Sequence, residues 1–261
     1  MTSSAPLPLA ALLRGVCADP GRPRLTWYGP SGERIELSGH VLDNWVTKTT
    51  NLLVEEFTAG PGTRVLLDLP PHWRTVVWAF AVWRAGACVV LPGAGRTDGD
   101  CDVVVTDRPD RMSDTGPEIV AVALPALARR FDGVLPPGAM DAAGAVMTYG
   151  DVLTWLPEPD TSREALDVGG HEVSHQELLG WASGTSGASA PPSAPAAAAG
   201  PGPGRVLLEP GADDVPAVLA GALTVYAGLG SLVLCAPEVG AELAADPVRR
   251  QRLVETERIT A

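Results

Sequence analysis

The chain has 261 residues, 46% of them hydrophobic and 19% charged, a balance that excludes a disordered protein. Its formal net charge of -12 excludes a nucleic-acid partner, because neutralising phosphates requires basic patches. Lys48 is the single lysine, and every other cation is an arginine.

From the N-terminus, Leu7, Ala10, Ala11, Leu13 and Val16 have the spacing of a short amphipathic helix over residues 7–18. MTSSAPLPLAALLRG lacks the basic start and long apolar core of a signal peptide. Arg24–Tyr28 and Arg34–Leu37 flank Pro30-Ser31-Gly32, so a hairpin is expected there. Ser38 caps the next helix, with Leu37 and Leu42 stapled around it. That helix runs through Trp45, Thr49 and Leu52 towards Phe57 and stops at Gly60-Pro61-Gly62. A strand at Arg64–Leu69 is broken by Pro70-Pro71, and a helix at Trp73–Arg84 closes at Gly86. Strands are expected at Ala87–Leu91, Asp102–Thr106 and Glu118–Ala123, then at Arg205–Leu208 and Ser231–Cys235 around a helix at Pro216–Ala227.

Continuous β-rich runs alternating with helices predict an α/β fold of largely parallel sheets with helices on both faces. The organisation is 1–182 as the main α/β region, 183–204 as a flexible Pro/Ala/Gly-rich linker or loop, and 205–261 as a continuation of the core. Val215–Pro237 is uncharged and long enough to cross a bilayer, but Gly221, Gly228 and Gly230 divide it into a helix and a short strand, so no membrane span is expected. Cys17, Cys88, Cys101 and Cys235 form no CxxC pair and read as reduced thiols of a cytoplasmic protein.

Several stretches imitate functional motifs. His171-Glu172-Val173-Ser174-His175 matches H-E-x-x-H, a zinc hydrolase motif whose chemistry requires both histidines on one helical face. Here Gly169-Gly170 precede it, and Ser174 with Glu177 forms a capping box, so the helix is expected to start at Ser174 and exclude His171. No metal site is predicted. Gly93–Gly99 follows a strand but is succeeded by Asp100 and Asp102, and reads as a surface loop. Trp73, Trp78 and Trp83 recur every five residues and do not share a face, which favours core packing for some and a partial interface for others over a ligand platform. His40 and His72 stand near helix starts with no evident partner.

Taken in order, Arg24-Leu25-Thr26-Trp27, Ser38, Leu42, Asn51-Leu52-Leu53, the 60–69 run GPGTRVLLDL, the 84–92 run RAGACVVLP and Val105-Thr106-Asp107 resemble the opening of acyl-CoA synthetases and peptide-synthetase adenylation domains. The 205–235 stretch resembles the later strand–helix–glycine–strand unit of the same fold. With its lysine-poor, Ala/Gly/Pro/Arg-rich composition, the chain resembles an actinobacterial family of AMP-binding-like proteins related to the N-terminal part of adenylate-forming enzymes, without their C-terminal lid domain.

The resemblance implies a phosphate loop of the form Thr-Ser-Gly-Thr-Thr-Gly-x-Pro-Lys-Gly, followed by Ser/Thr-His. Small residues there let backbone N–H groups close around ATP phosphates, and the lysine adds positive charge. Ser174-His175 match the trailing pair, which sets Thr161 to Gly170 over the signature. Thr161, Ser162 and Gly170 agree. Gly169 stands where the lysine should be, Arg163 and Leu166 replace glycines, and Glu164 and Asp167 bring negative charge towards a triphosphate. Ser183-Gly184-Thr185-Ser186-Gly187 imitates the signature but opens the proline-rich stretch and is followed by no lysine.

The chain also stops before the family's later motifs and the lid that supplies a catalytic lysine, a role Lys48 does not match. The resemblance therefore implies a non-catalytic, pseudoenzyme-like protein with an interaction or regulatory role, no catalytic residues and no required cofactor. The alternatives are a module that still binds ATP, AMP or an acyl group, or a split acid–AMP ligase completed by a partner lid; the H-E-x-x-H match keeps a zinc hydrolase as the remotest alternative.

Overall fold

The computed structural model describes residues 8–93, 98–112, 116–185 and 204–260. In chain order the elements are α1 (Pro8–Val16), β1 (Pro23–Tyr28), β2 (Arg34–Ser38), α2 (Gly39–Phe57), β3 (Arg64–Asp68), α3 (Trp73–Ala85), β4 (Cys88–Val90), β5 (Val103–Thr106) and β6 (Glu118–Ala121). There follow β7 (Met140–Asp141), α4 (Ala142–Ala145), β8 (Glu164–Val168), β9 (His171–Ser174), α5 (Leu178–Ala182), β10 (Arg205–Leu208), α6 (Val215–Ala227), β11 (Ser231–Cys235), α7 (Pro237–Ala245) and α8 (Pro247–Thr256). The chain divides into two compact units. Among the described residues, the first is built from 8–10, Asn44–Leu69 and Val77–Leu178, and the second takes Ala11–Asp43, Pro70–Val76, 179–185 and 204–260.

The first unit carries a seven-stranded sheet in the order β7-β6-β5-β3-β4-β8-β9. All neighbouring pairs are parallel except β8 with β9. Its central strands RVLLD, CVV and VVVT are short, with unbroken, buried apolar runs (VLL, CVV and VVV) of the kind that strands covered on both faces carry. Within this unit the buried part of α3 sets Phe80 against Trp83 at 5.5 Å between ring centres. The Trp83 indole donates to Ala165 O at 2.7 Å, which satisfies its one polar atom inside the core. Thr50 hydroxyl donates to Val46 O at 2.7 Å, and Arg84 reaches the Thr47 hydroxyl at 3.0 Å.

The second unit carries a four-stranded sheet in the order β10-β11-β1-β2. The β1–β2 hairpin forms as expected, with Ser31 and Gly32 at positive φ in its turn. β1 is parallel to β11, with Leu25 opposite Leu232 and Trp27 opposite Leu234. Helix α6 is buried over nearly its whole length and starts with a proline in its first turn, where the missing N–H costs nothing. Arg24 is buried beneath: Nε donates to Val16 O, the last residue of α1, at 3.1 Å, and Nη1 donates to Gly230 O at 3.0 Å beyond α6. Burial lowers its pKa, yet a guanidinium stays charged and supplies the cation that helix C-termini favour.

The C-terminal helices are held differently. α8 buries none of its residues. It is fixed at its end by Glu257, which accepts from Arg34 at 2.9 Å and also from Arg205 and the Tyr28 hydroxyl. Arg250 adds a forked contact with Glu209 at 2.6–3.0 Å.

Most expected elements are present with trimmed ends: 87–91 is reduced to Cys88–Val90 and 118–123 to Glu118–Ala121. One expected element is absent. No helix begins at Ser174, because Ser174 ends β9; a turn follows and α5 begins at Leu178. The antiparallel pairing of β9 with β8 overrides a local capping signal. Val215–Pro237 does split into α6 and β11, and among the described residues no helix is long and apolar enough to cross a membrane. The four cysteines form no disulfide, and burial pushes the thiols of Cys88 and Cys235 up to about 12, which leaves them unreactive. Most of the 183–204 segment, from 186 to 203, lies outside the described residues, as does 94–97.

Candidate functional site

In an open parallel sheet, ligands bind outside the carboxyl ends of the strands where the strand order reverses. In the first unit that point lies between β3 and β5: β3 is followed by β4 on one side, and β5 by β6 on the other. Asp68 ends β3 opposite Thr106, which ends β5. Thr106 Oγ1 donates to Asp68 Oδ2 at 2.7 Å, Arg108 Nη2 donates to Asp68 Oδ1 at 2.7 Å, and Arg108 N donates to Thr106 Oγ1 at 2.9 Å. The half-buried Asp107 lies beside them, with Arg108 Nε 3.7 Å from Oδ1. Burial raises its carboxyl pKa, partly offset by the Arg108 charge.

The segment set over the phosphate-loop signature takes a different form from a loop. Thr161 and Ser162 lie in a turn, where Ser162 N donates to Asp160 Oδ1 at 3.0 Å. Residues 164–168 are strand β8, and Gly169 and Gly170 alone connect it to β9. Both glycines have positive φ, +60° and +87°, as a two-residue type I′ hairpin requires. Asp167 is buried at 1% exposure; Oδ2 accepts from Arg64 Nη2 at 2.6 Å and Oδ1 from Gly170 N at 3.1 Å. Glu164 accepts from the other arm of Arg64 at 2.7 Å. The acids that the sequence placed against a triphosphate are therefore engaged within the sheet.

The hairpin also separates the residues that the signature would gather. Gly169 and Gly170 lie at the carboxyl end of β8, beside Gly93, where an added Cβ would be 3.6 Å from Gly169 Cα. Thr161, Ser162, Ser174 and His175 lie at the opposite end, four residue steps away, or roughly 13 Å at about 3.3 Å per step. Ser174 donates through N and Oγ to Glu177 Oε2 at 3.2 and 2.5 Å, so half of the capping box forms without its helix. His175 is buried against the backbone of Gly86 and Ala87, and burial lowers its pKa despite those contacts.

The H-E-x-x-H stretch lies on strand β9 and the turn after it, not on a helix, with His171 exposed and His175 buried. Among the described residues no group of three or more His, Cys, Asp or Glu side chains could hold a metal ion. Trp73, Trp78 and Trp83 are all buried. His72, which the sequence left without a partner, has several. Its Nδ1 accepts from Arg74 N at 3.1 Å, and its ring meets Trp27 edge-on at 4.4 Å. Ser183–Thr185 of the imitated signature extend the end of α5, and Ser186-Gly187 lie outside the described residues. The Asp68–Thr106–Arg108 cluster was missed because it depends on β3 and β5 being neighbours, which no local pattern reveals.

No family model matches the chain. A "TIGR03089 family protein" of Mycobacterium tuberculosis (strain ATCC 25618 / H37Rv) is 38% identical over 168 residues, which is 60% of this chain and 65% of that one. Among solved structures, the acetoacetyl-CoA synthetase from Streptomyces lividans aligns with a TM-score of 0.63 at 15% identity, over 87% of this chain and 38% of that enzyme. An acyl-CoA synthetase from Brucella canis aligns with a TM-score of 0.63 at 16% identity, over 92% of this chain and 45% of that enzyme. The chain thus spans just under two thirds of its curated relative and less than half of either synthetase. At such identities the structural likeness is one of fold: a mixed α/β fold matching the N-terminal part of adenylate-forming enzymes.

Proposed function

We propose that this chain uses the adenylate-forming fold without its chemistry and acts in the cytosol as an interaction or regulatory protein. The observation that carries the reading is the β8–Gly169–Gly170–β9 hairpin. A loop that cradles ATP phosphates needs a run of inward N–H groups and a cation. A two-residue turn offers little backbone for that purpose, and Gly170 N already donates to Asp167. The nearby guanidinium, Arg64, is neutralised by Asp167 and Glu164. Stabilising a transferring adenylyl group requires preorganised positive charge. The test is ATP–pyrophosphate exchange with a panel of carboxylic acids and Mg²⁺. No exchange above background is expected; exchange dependent on any one acid would overturn the reading and place the chain with acid–AMP ligases.

One observation favours a second reading, a module that binds a nucleotide or an acyl group without activating it. The strand order still reverses between β3 and β5, and Asp68, Thr106 and Arg108 cluster at that crevice. Calorimetric titration with ATP, AMP and acyl-CoA separates the two. Saturable heat that is lost in Arg108→Ala supports binding there, and flat traces for all three ligands dismiss it.

A further inference from the structure

The stretch from Val146 to Asp160, between α4 and β8, lies along α2 with almost no regular structure of its own. Lys48 Nζ donates to Tyr149 O at 2.6 Å, and Asn51 Nδ2 donates to Gly150 O at 3.1 Å and Val152 O at 2.9 Å. One helical turn further on, the Thr154 hydroxyl donates to Glu55 Oε1 at 3.2 Å, and the Tyr149 hydroxyl donates to Glu56. Pro157 then packs on Gly60, where an added Cβ would meet its ring at 2.9 Å. Positions 48, 51 and 55 share a face of α2, so this strap runs in the direction of the helix and directs its polar groups inward.

Val146 is buried, but three large apolar side chains of the strap face outward. Met147 is 59% exposed, Val152 70% and Trp155 61%. Glu55 and Glu56 on α2, and Asp151 and Glu158 on the strap, are exposed, and residues 147–160 contain no Lys or Arg; Asp160 is engaged by Ser162 and Arg163. Exposed large apolar side chains gathered on one segment mark interaction surfaces, and Trp is the residue type most enriched at binding hot spots.

We propose that the 147–160 strap is a docking surface for a cationic amphipathic helix of a partner protein. The partner's apolar face covers Met147, Val152 and Trp155, and its Lys and Arg side chains meet the surrounding carboxylates. Charge selects this occupant. A rim of acids repels an anionic bilayer, and a second copy would set like charge against like charge on a molecule with net charge -12. The proposal deepens the interaction role proposed above, but it stands on the strap and not on the β8–β9 hairpin. Pyrophosphate exchange tests one and peptide binding the other, so each can fail alone.

The probe is a labelled Leu/Lys peptide with leucines at helical i, i+3, i+4 and i+7 spacing, titrated against the full chain by fluorescence anisotropy. Saturable binding is expected, about tenfold weaker in Trp155→Ser, the loss that follows truncation of one aromatic anchor. The double change Asp151→Asn with Glu158→Gln should weaken binding and flatten its salt dependence, since exposed charge pairs are screened. These side chains are exposed, so unchanged circular dichroism and melting will show that the variants fold. The proposal is overturned by absence of saturable binding, by equal binding of a scrambled peptide of the same composition, or by full affinity in Trp155→Ser. It is overturned as well if Trp155→Ser abolishes binding to phosphatidylglycerol vesicles or a concentration-dependent dimer in ultracentrifugation, which would give the surface to another occupant.

Discussion

His72 accepts a hydrogen bond from the Arg74 amide through Nδ1, and so caps α3 with a ring nitrogen in place of the usual side-chain oxygen. That role requires the neutral imidazole, and burial with the nearby Arg74 charge lowers its pKa from 6.5 to about 3. Because the folded value lies below the unfolded one, the unfolded chain takes up the proton first. Stability is whole above pH about 6.5 and falls as pH drops through that value towards 3, by at most about 1.4 kcal/mol per pH unit from this group. His175, also lowered, acts in the same direction. We expect urea midpoints to fall between about pH 7 and pH 5, and less steeply in His72→Asn, which keeps a capping acceptor that does not titrate. An identical slope in the variant would show that other groups dominate. Asp167 offers a second test at this scale. Asp167→Asn keeps an acceptor for Gly170 N but removes the charge opposite Arg64, and should cost about 1–3 kcal/mol in denaturant unfolding. Neither role was legible in the sequence, since His72 showed only proximity to a helix start and Asp167 looked like a misplaced acid in a phosphate loop.

The elements that could be read in advance are those whose own residues dictate them. The β1–β2 hairpin has its Pro-Ser-Gly turn, α2 its staple and terminating glycines, and β3 to β5 their unbroken apolar runs. β8 escaped notice because Glu164 and Asp167 interrupt its apolar pattern; Arg64 on β3 pairs with both, and Gly170 N also donates to Asp167. The turn between β8 and β9 should be discriminating. Gly169→Asn should be nearly neutral, because Asn tolerates a φ near +60°, whereas Gly170→Val, at +87°, should lower stability by about 1–2 kcal/mol. Thermal melts of the two variants compare them directly. α8 was missed for the opposite reason: it has no apolar stripe to read and depends on ion pairs that distant residues supply. Glu257→Gln should therefore raise hydrogen exchange across 247–256 while the amides of β3 and β5 keep their protection.

At the scale of the whole molecule, the α/β class followed from alternating strand and helix patterns, while the grouping of the strands depends on pairings between distant stretches. Each of the two units is assembled from separate stretches. Strand neighbours explain why. All seven strands of the larger sheet lie between residues 64 and 174, while the smaller sheet pairs β1 at 25–28 with β11 at 232–235. In pulse-labelled refolding, amides of β3 and β5 should gain protection before those of β1 and β11, because closing the longer loop carries the larger entropic cost. Simultaneous protection would show that the two sheets form in one event. The same pairing matters during synthesis. With chains growing at about 5–20 residues per second, Trp27 waits roughly ten seconds or more for Leu234 to be made. Until then β1 has one unpaired edge, and its backbone N–H and C=O groups are open to pairing with other strands before the first strand finds its last partner.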